Sequence, residues 1–308
     1  MNRAPVFVVT IAVAMMALPE SVAAQDHSGH EGMSGHNHAV TAVDCSTLAS
    51  PPWVGLSVLD RERFVSAHDA VRELKTPAAA MAAGYRPVLG DIPGMGVHYV
   101  HRGYSRDGIH VDQPDHLMFA PVNGEDALVG AAYAFVDVPD THEPLPYDSD
   151  LAHWHDHPEF APDGETLHML HIWFVPSSNG PFAGLNFWLP FHGAGITPPS
   201  ACWMSDPDMS ELIQRVAFAL VPADNPIVAR IDAARGLSGE DQLPRGRVRI
   251  LQALGAAAEA GDMDAWMRAA ERFESNLTDR ERFRTRLLLQ TLTNAQMSSA
   301  EREGVGVS

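Results

Sequence analysis

Lysine is almost missing from this chain: Lys75 is the only one among 308 residues, and 21 basic side chains face 39 acidic ones, for a formal charge of −18. Such a deficit disfavours nucleic acid and anionic membrane surfaces as partners, because both are bound by displacing counterions with a basic patch. Cations are favoured instead. Long apolar runs are also missing. The run from about Val6 to Leu18 falls short of the roughly 20 residues that a spanning helix needs, and no later segment is longer and as apolar, so no membrane span is expected. Cysteine occurs only at Cys45 and Cys202, which excludes a paired-cysteine zinc knuckle. No phosphate-binding glycine loop and no Gly-x-Ser-x-Gly elbow is present, so nothing local points to a nucleophile or a nucleotide.

What is present begins with an address. Arg3, the apolar run and the small residues Val22-Ala23-Ala24 read as a secretory signal peptide over residues 1–24, cleaved near Ala24, and the expected location is periplasmic or secreted. No cysteine stands at the cleavage point, which argues against a lipid anchor. In an oxidising compartment a long-range Cys45–Cys202 disulfide is the leading expectation; two unpaired thiols, or Cys202 as a soft metal ligand, are the alternatives.

Residues 25–58 read as a leader and linker. Gln25 to Ala39 holds almost nothing to bury and is expected to be disordered. His27, His30, His36 and His38, with Met33 among them, form a short tract of the kind that captures metal ions. From Leu59 the pattern turns helical, with Asp60 as the expected N-cap of a first helix bearing Phe64, Ala67, Val71 and Leu74 on one face. Thr76-Pro77 then starts a second helix that Gly84 ends. Between about Pro87 and Phe191 short apolar runs broken by Gly, Pro, Asn and Asp predict strands at Val97–His101, His116–Ala120, Ala127–Val138 and Thr166–Val175. Beyond Trp203 five further helices are expected, with Gly261 as a stop and Thr278/Glu281 as a capping box. The predicted fold class is α+β, a mainly antiparallel central sheet with an N-terminal helical segment and a C-terminal helical region. Residues 59–203 would form the metal-binding domain. Residues 204–308 would form a helical region that packs on the sheet or docks another periplasmic protein.

Histidine is the residue in excess. Sixteen are present, and none lies beyond His192. Copper and zinc are held by neutral imidazole nitrogens at about 2.0 Å, usually three or four of them, so a site needs histidines converging from several elements. His153-Trp154-His155-Asp156-His157-Pro158-Glu159 is the densest signal. On an extended strand its three histidines alternate and share one face, and Asp156 or Glu159 could add an oxygen ligand, orient a ring, or act as general base. His168 and His171, three apart in an apolar strand, should face opposite ways, as should His98 and His101, so one of each pair is expected at a shared site. His98, His155 and His171 are the central expectation, with His153, His157, His168 and His101 as further candidates. Met95 is a conceivable soft ligand, or simply packing.

Gly94-Met95-Gly96-Val97-His98-Tyr99-Val100, Leu128-Val129-Gly130-Ala131-Ala132-Tyr133 and Leu170-His171-Ile172-Trp173, followed by Pro176 and Asn179-Gly180-Pro181-Phe182-Ala183, resemble an uncharacterised family of exported bacterial proteins. The likeness covers about residues 78–202 and implies that His98, a histidine near Trp154-His155, and His171 occupy recurring positions. It implies no activity. His153-x-His155-x-x-x-Glu159 also resembles the first metal motif of the cupins, but the upstream glycine is missing and no second cupin motif follows convincingly.

Three functions fit these features. The first is periplasmic handling of copper or zinc, with iron as a further option. The second is a metalloenzyme with an open coordination position and a carboxylate base. The third is a metal-free interaction module whose histidines sense pH.

Overall fold

The computed structural model of this protein describes residues 51, 53–104, 108–122, 124–137, 147–149, 151, 152, 154–234 and 246–295. All of them belong to one compact unit, Ala42–Ser308. The fold is α+β: a six-stranded, wholly antiparallel sheet with helices before and after it. Among the described residues, no helix is long and apolar enough to cross a membrane.

The N-terminal helices are α1, Val58–Val71, and α2, Pro77–Ala82. Helix α2 starts as the sequence predicts, with the Thr76 hydroxyl accepting from the Ala79 N–H. The cap of helix α1 lies three residues earlier than expected. Ser57 is the N-cap and its hydroxyl accepts from the Asp60 N–H, whereas Asp60 turns inward, where its carboxylate accepts from the Asp148 N–H at 3.0 Å and from Arg63 at 3.1 Å. The carboxylate is worth more holding a distant loop than capping its own helix, because buried acceptors need donors.

The strands are β1, Arg86–Pro87; β2, Val97–Val100; β3, His116–Val122; β4, Glu125–Asp137; β5, His155–His157; and β6, Thr166–Trp173. They lie in the order β1-β2-β3-β4-β6-β5, so β4 is inside the sheet and β5 is an edge. Between β3 and β4 the register slips: Phe119 faces Leu128 but Met118 faces Gly130, leaving Val129 as one extra residue on β4. This is a β-bulge.

Cross-strand partners share a face, so the register sorts the side chains. On one face stand Leu117, Ala131 and Ile172, with Tyr133 and Leu170. Helix α1 covers them through Phe64, whose ring lies 5.1 Å from Tyr147 and 5.2 Å from Phe182. On the other face stand His98, Met118, Gly130 and Trp173 in one row, and His116, Ala132 and His171 in the next.

After the sheet come α3, Trp188–Gly193; α4, Pro207–Ala219; α5, Pro226–Ala234; α6, Arg247–Ala260; α7, Met263–Ser275; and α8, Asp279–Ala295. Their core is built on Phe191, Ile213, Val216, Trp266, Phe273 and Leu288. Gly261 closes α6 at φ 65°, a left-handed conformation that glycine adopts without a side-chain clash. The capping box forms as predicted, with the Glu281 N–H donating to Thr278 Oγ1 at 3.2 Å and the Thr278 N–H donating to Glu281 Oε2 at 2.7 Å. Helix α3 rests against β3, and α8 reaches β5. Cys202 lies in a 3-10 turn, Ala201–Ser205, while Cys45, its expected partner, is outside the described residues.

Candidate functional site

The small residues of β4 make the site. Gly130 and Ala132 sit between strands that carry large side chains, and the space above them is taken by neighbours leaning in. A Cβ on Gly130 would stand 2.6 Å from the Met118 methyl and would collide with the Ile172 carbonyl, so no side chain fits there. Strands β3 and β4 separate β2 from β6, which puts their backbones about 14 Å apart at ordinary strand spacing. His98 and His171 cross that distance by lying over β3 and β4 until Nε2 meets Nε2 at 3.4 Å.

Further imidazoles continue the row. The His116 ring lies 6.2 Å from His98, His155 lies 4.8 Å from His171, and His157 lies 5.0 Å from His155. Five histidines from four strands thus form a contiguous series, each 1–7% exposed. Strand parity explains the set. His155 faces Met169 and His157 faces Leu167, so both share the face of His171 on β6.

The electrostatics follow from that crowding. Burial holds His98 well below the ordinary imidazole range, and His171, His116 and His157 push it the same way, partly offset by the Gly96 backbone. Burial pushes His171 down to about 3; a hydrogen bond to the Gly184 backbone opposes this, while His157 and His116 add to it. Both rings are therefore neutral near pH 7, the form that binds metal. His171 Nδ1 lies 2.9 Å from the Gly184 carbonyl. A carbonyl only accepts, so Nδ1 carries the proton and Nε2 keeps its lone pair. Outer hydrogen bonds of this kind orient histidine ligands in metal sites. His98 presents its own Nε2 to that lone pair at 3.4 Å, and the Gly96 backbone hydrogen-bonds to the same ring. His116 Nδ1 stands 3.1 Å from Asp115 Oδ2.

The remaining candidates lie elsewhere. His168 and Asp156 occupy the opposite sheet face, as parity predicts for His168 relative to His171. His168 Nδ1 is 2.7 Å from Asp156 Oδ1, and its ring stacks on Phe135 at 4.8 Å. His101 is beyond the end of β2, stacked on Tyr104 at 3.9 Å. Met95 packs in the core of the helical region. Glu159 lies in the 3-10 turn Pro158–Phe160 that follows β5. His153, and the leader residues His27, His30, Met33, His36 and His38, are outside the described residues.

His116 escapes a reading of the sequence, because its place depends on β4 lying between β3 and β6. The signal that could have found it is the small-residue run Gly130-Ala131-Ala132, which marks where neighbouring strands need space. As the side chains stand, no three His, Cys, Asp or Glu among the described residues are disposed around one point to hold an ion. The chain matches no family model, no curated protein and no solved structure.

Proposed function

We propose that this protein binds a transition metal ion, copper or zinc, in the histidine row, and that its role is metal handling in the periplasm or outside the cell. The observation that carries the proposal is the His98–His171 contact. Two ligands about 2.0–2.1 Å from one ion at a tetrahedral angle stand about 3.3–3.4 Å apart, and the two Nε2 atoms are 3.4 Å apart. An ion entering between them replaces a long hydrogen bond between neutral rings with two metal–nitrogen bonds. With its proton on Nδ1, toward the Gly96 backbone, His98 would present an Nε2 lone pair to the ion. A third imidazole comes from rotation of His155, whose ring already touches His171, with His157 and His116 behind it.

Burial of the whole row supports storage or transfer over turnover. The enzyme reading asks for a base beside the ion, and Asp156 is engaged with His168 across the sheet. The export address rests on the first 24 residues, and the leader histidines would gather ions for the folded part.

The test is elemental analysis of tag-free protein purified from its own compartment, alongside forms lacking residues 25–39 or carrying His98→Ala and His171→Ala together. The expected outcome is about one metal per chain that survives the leader deletion and disappears in the double variant. Metal that leaves with the leader alone sinks the proposal.

A further inference from the structure

The chemistry of the row goes further than the identity of its donors and, resting on the metal-binding reading above, speaks to the charge of the ion. We infer that the site selects the soft monovalent ion, cuprous copper, over zinc and cupric copper.

The first ground is charge. The cost of taking an ion out of water rises as the square of its charge, so a doubly charged ion costs about four times as much to bury as a singly charged one. At a buried site for a divalent ion, that cost is offset by anionic ligands or by a bound water that ionises. Around His98 and His171 the described groups that act electrostatically are other histidines, with no carboxylate among them. Among the described contacts, Asp115 brings a carboxylate to the row, its Oδ2 3.1 Å from His116 Nδ1. One negative charge in the outer ring balances one positive charge in the centre. A divalent ion would leave a net buried charge.

The second ground is softness. Met118 is the cross-strand partner of His98, and Met169 is the partner of His155. Both are buried, and both stand on the face that carries the histidines. The absence of a side chain at Gly130 lets the Met118 thioether swing over β4, its methyl 2.6 Å from where a Cβ would be. Thioether sulfur is a ligand for cuprous copper and a poor one for zinc. A soft donor therefore flanks the row at His98 and again at His155.

The experiment uses the full mature chain without oxygen. Cuprous copper is titrated in competition with a chromophoric cuprous chelator, zinc with a fluorescent zinc indicator, and cupric copper in air with a competing amino acid. Cuprous copper is expected to bind at least about a hundredfold more tightly than zinc or cupric copper. Replacing Met118→Leu or Met169→Leu should weaken cuprous binding about tenfold and leave zinc within about twofold. His98→Gln, which keeps a polar side chain facing His171, should abolish the tight cuprous event; circular dichroism shows whether it folds. If it does not, X-ray absorption of the copper-loaded wild type serves instead, with nitrogen and sulfur scatterers expected. Zinc or cupric copper binding as tightly as cuprous copper with the same dependence on His98 overturns the selectivity and leaves metal binding intact. No near-stoichiometric event for any of the three ions overturns the metal reading itself.

Discussion

The helical region and the histidine face of the sheet both bury polar groups, and they satisfy them in opposite ways. Among the helices, buried charges meet their complements. Arg247 grips Glu281 through two bonds of 2.6 and 2.9 Å, and Asp232 lies 2.6 Å from both Arg280 and Arg284. On the sheet, five buried histidines form a row, and burial together with neighbouring histidines lowers His98 and His171. The first arrangement sets opposite charges against each other. The second gathers imidazoles, the donors that the proposed metal ion would use.

The comparison breaks most visibly if the charges are removed from the helices. Arg247→Ala strands the Glu281 carboxylate in the core, and breaking a buried pair from one side costs about 3–5 kcal/mol. Denaturant titration should show that loss with metal stoichiometry unchanged. A loss below about 1 kcal/mol, the range of an exposed pair, would mean that these charges do not hold the helices together.

On the sheet, Gly130→Ala should cost about 1–3 kcal/mol by overpacking, and it should also displace Met118 and impair metal uptake. A destabilised variant that binds metal at wild-type strength would detach the site from the small-residue row.

The finest probe is pH, because the buried histidines and the paired carboxylates titrate in different windows. His98 and His171 are held below the ordinary value in the folded state, His171 at about 3, whereas in the unfolded chain each takes up a proton near pH 6.5. Their contribution is full above that pH and is lost as pH falls toward the folded values, at about 1.4 kcal/mol per pH unit per histidine for the metal-free protein. Burial alone would raise Asp232 and Glu281, but hydrogen bonds from Arg284, Arg280 and Arg247 outweigh it and lower both. Their contribution is kept until pH falls below the unfolded carboxylate value near 4. Metal-free protein should therefore lose stability between about pH 6.5 and 4 chiefly through His98 and His171, with His192 of α3, also lowered by burial, adding to the loss. Bound metal should flatten that slope, since the ion competes with protons for the same lone pairs. A flat profile without metal would mean that the rings are not buried neutral.

Much of the architecture was legible because local chemistry decides it. Thr76-Pro77, Gly261 and the Thr278/Glu281 box punctuate helices wherever they occur, and alternation along β6 separates His168 from His171 without reference to any other strand. Asp60 shows where local rules fail, since its carboxylate answers to Asp148, 88 positions away, and leaves capping to Ser57. The site was legible to the same extent. Parity identifies the faces of His98, His155 and His171, but the density of histidine around residue 155 draws attention to an edge strand. The closest pair spans 73 positions, and His116 joins it only through the strand order, which no local pattern encodes.

The extra residue at Val129 governs more than the shape of its strand. Because it is tucked out of the ladder, every later position of β4 presents the surface opposite to the one that simple alternation from Leu128 would give it. Were the ladder to run on without that offset, Ala131 and Tyr133 would lie beneath the imidazoles, and a phenol ring would stand where they converge. The room for an ion thus depends on one residue that touches none of the histidines in the register, and whose deletion or duplication would exchange the two surfaces of the strand.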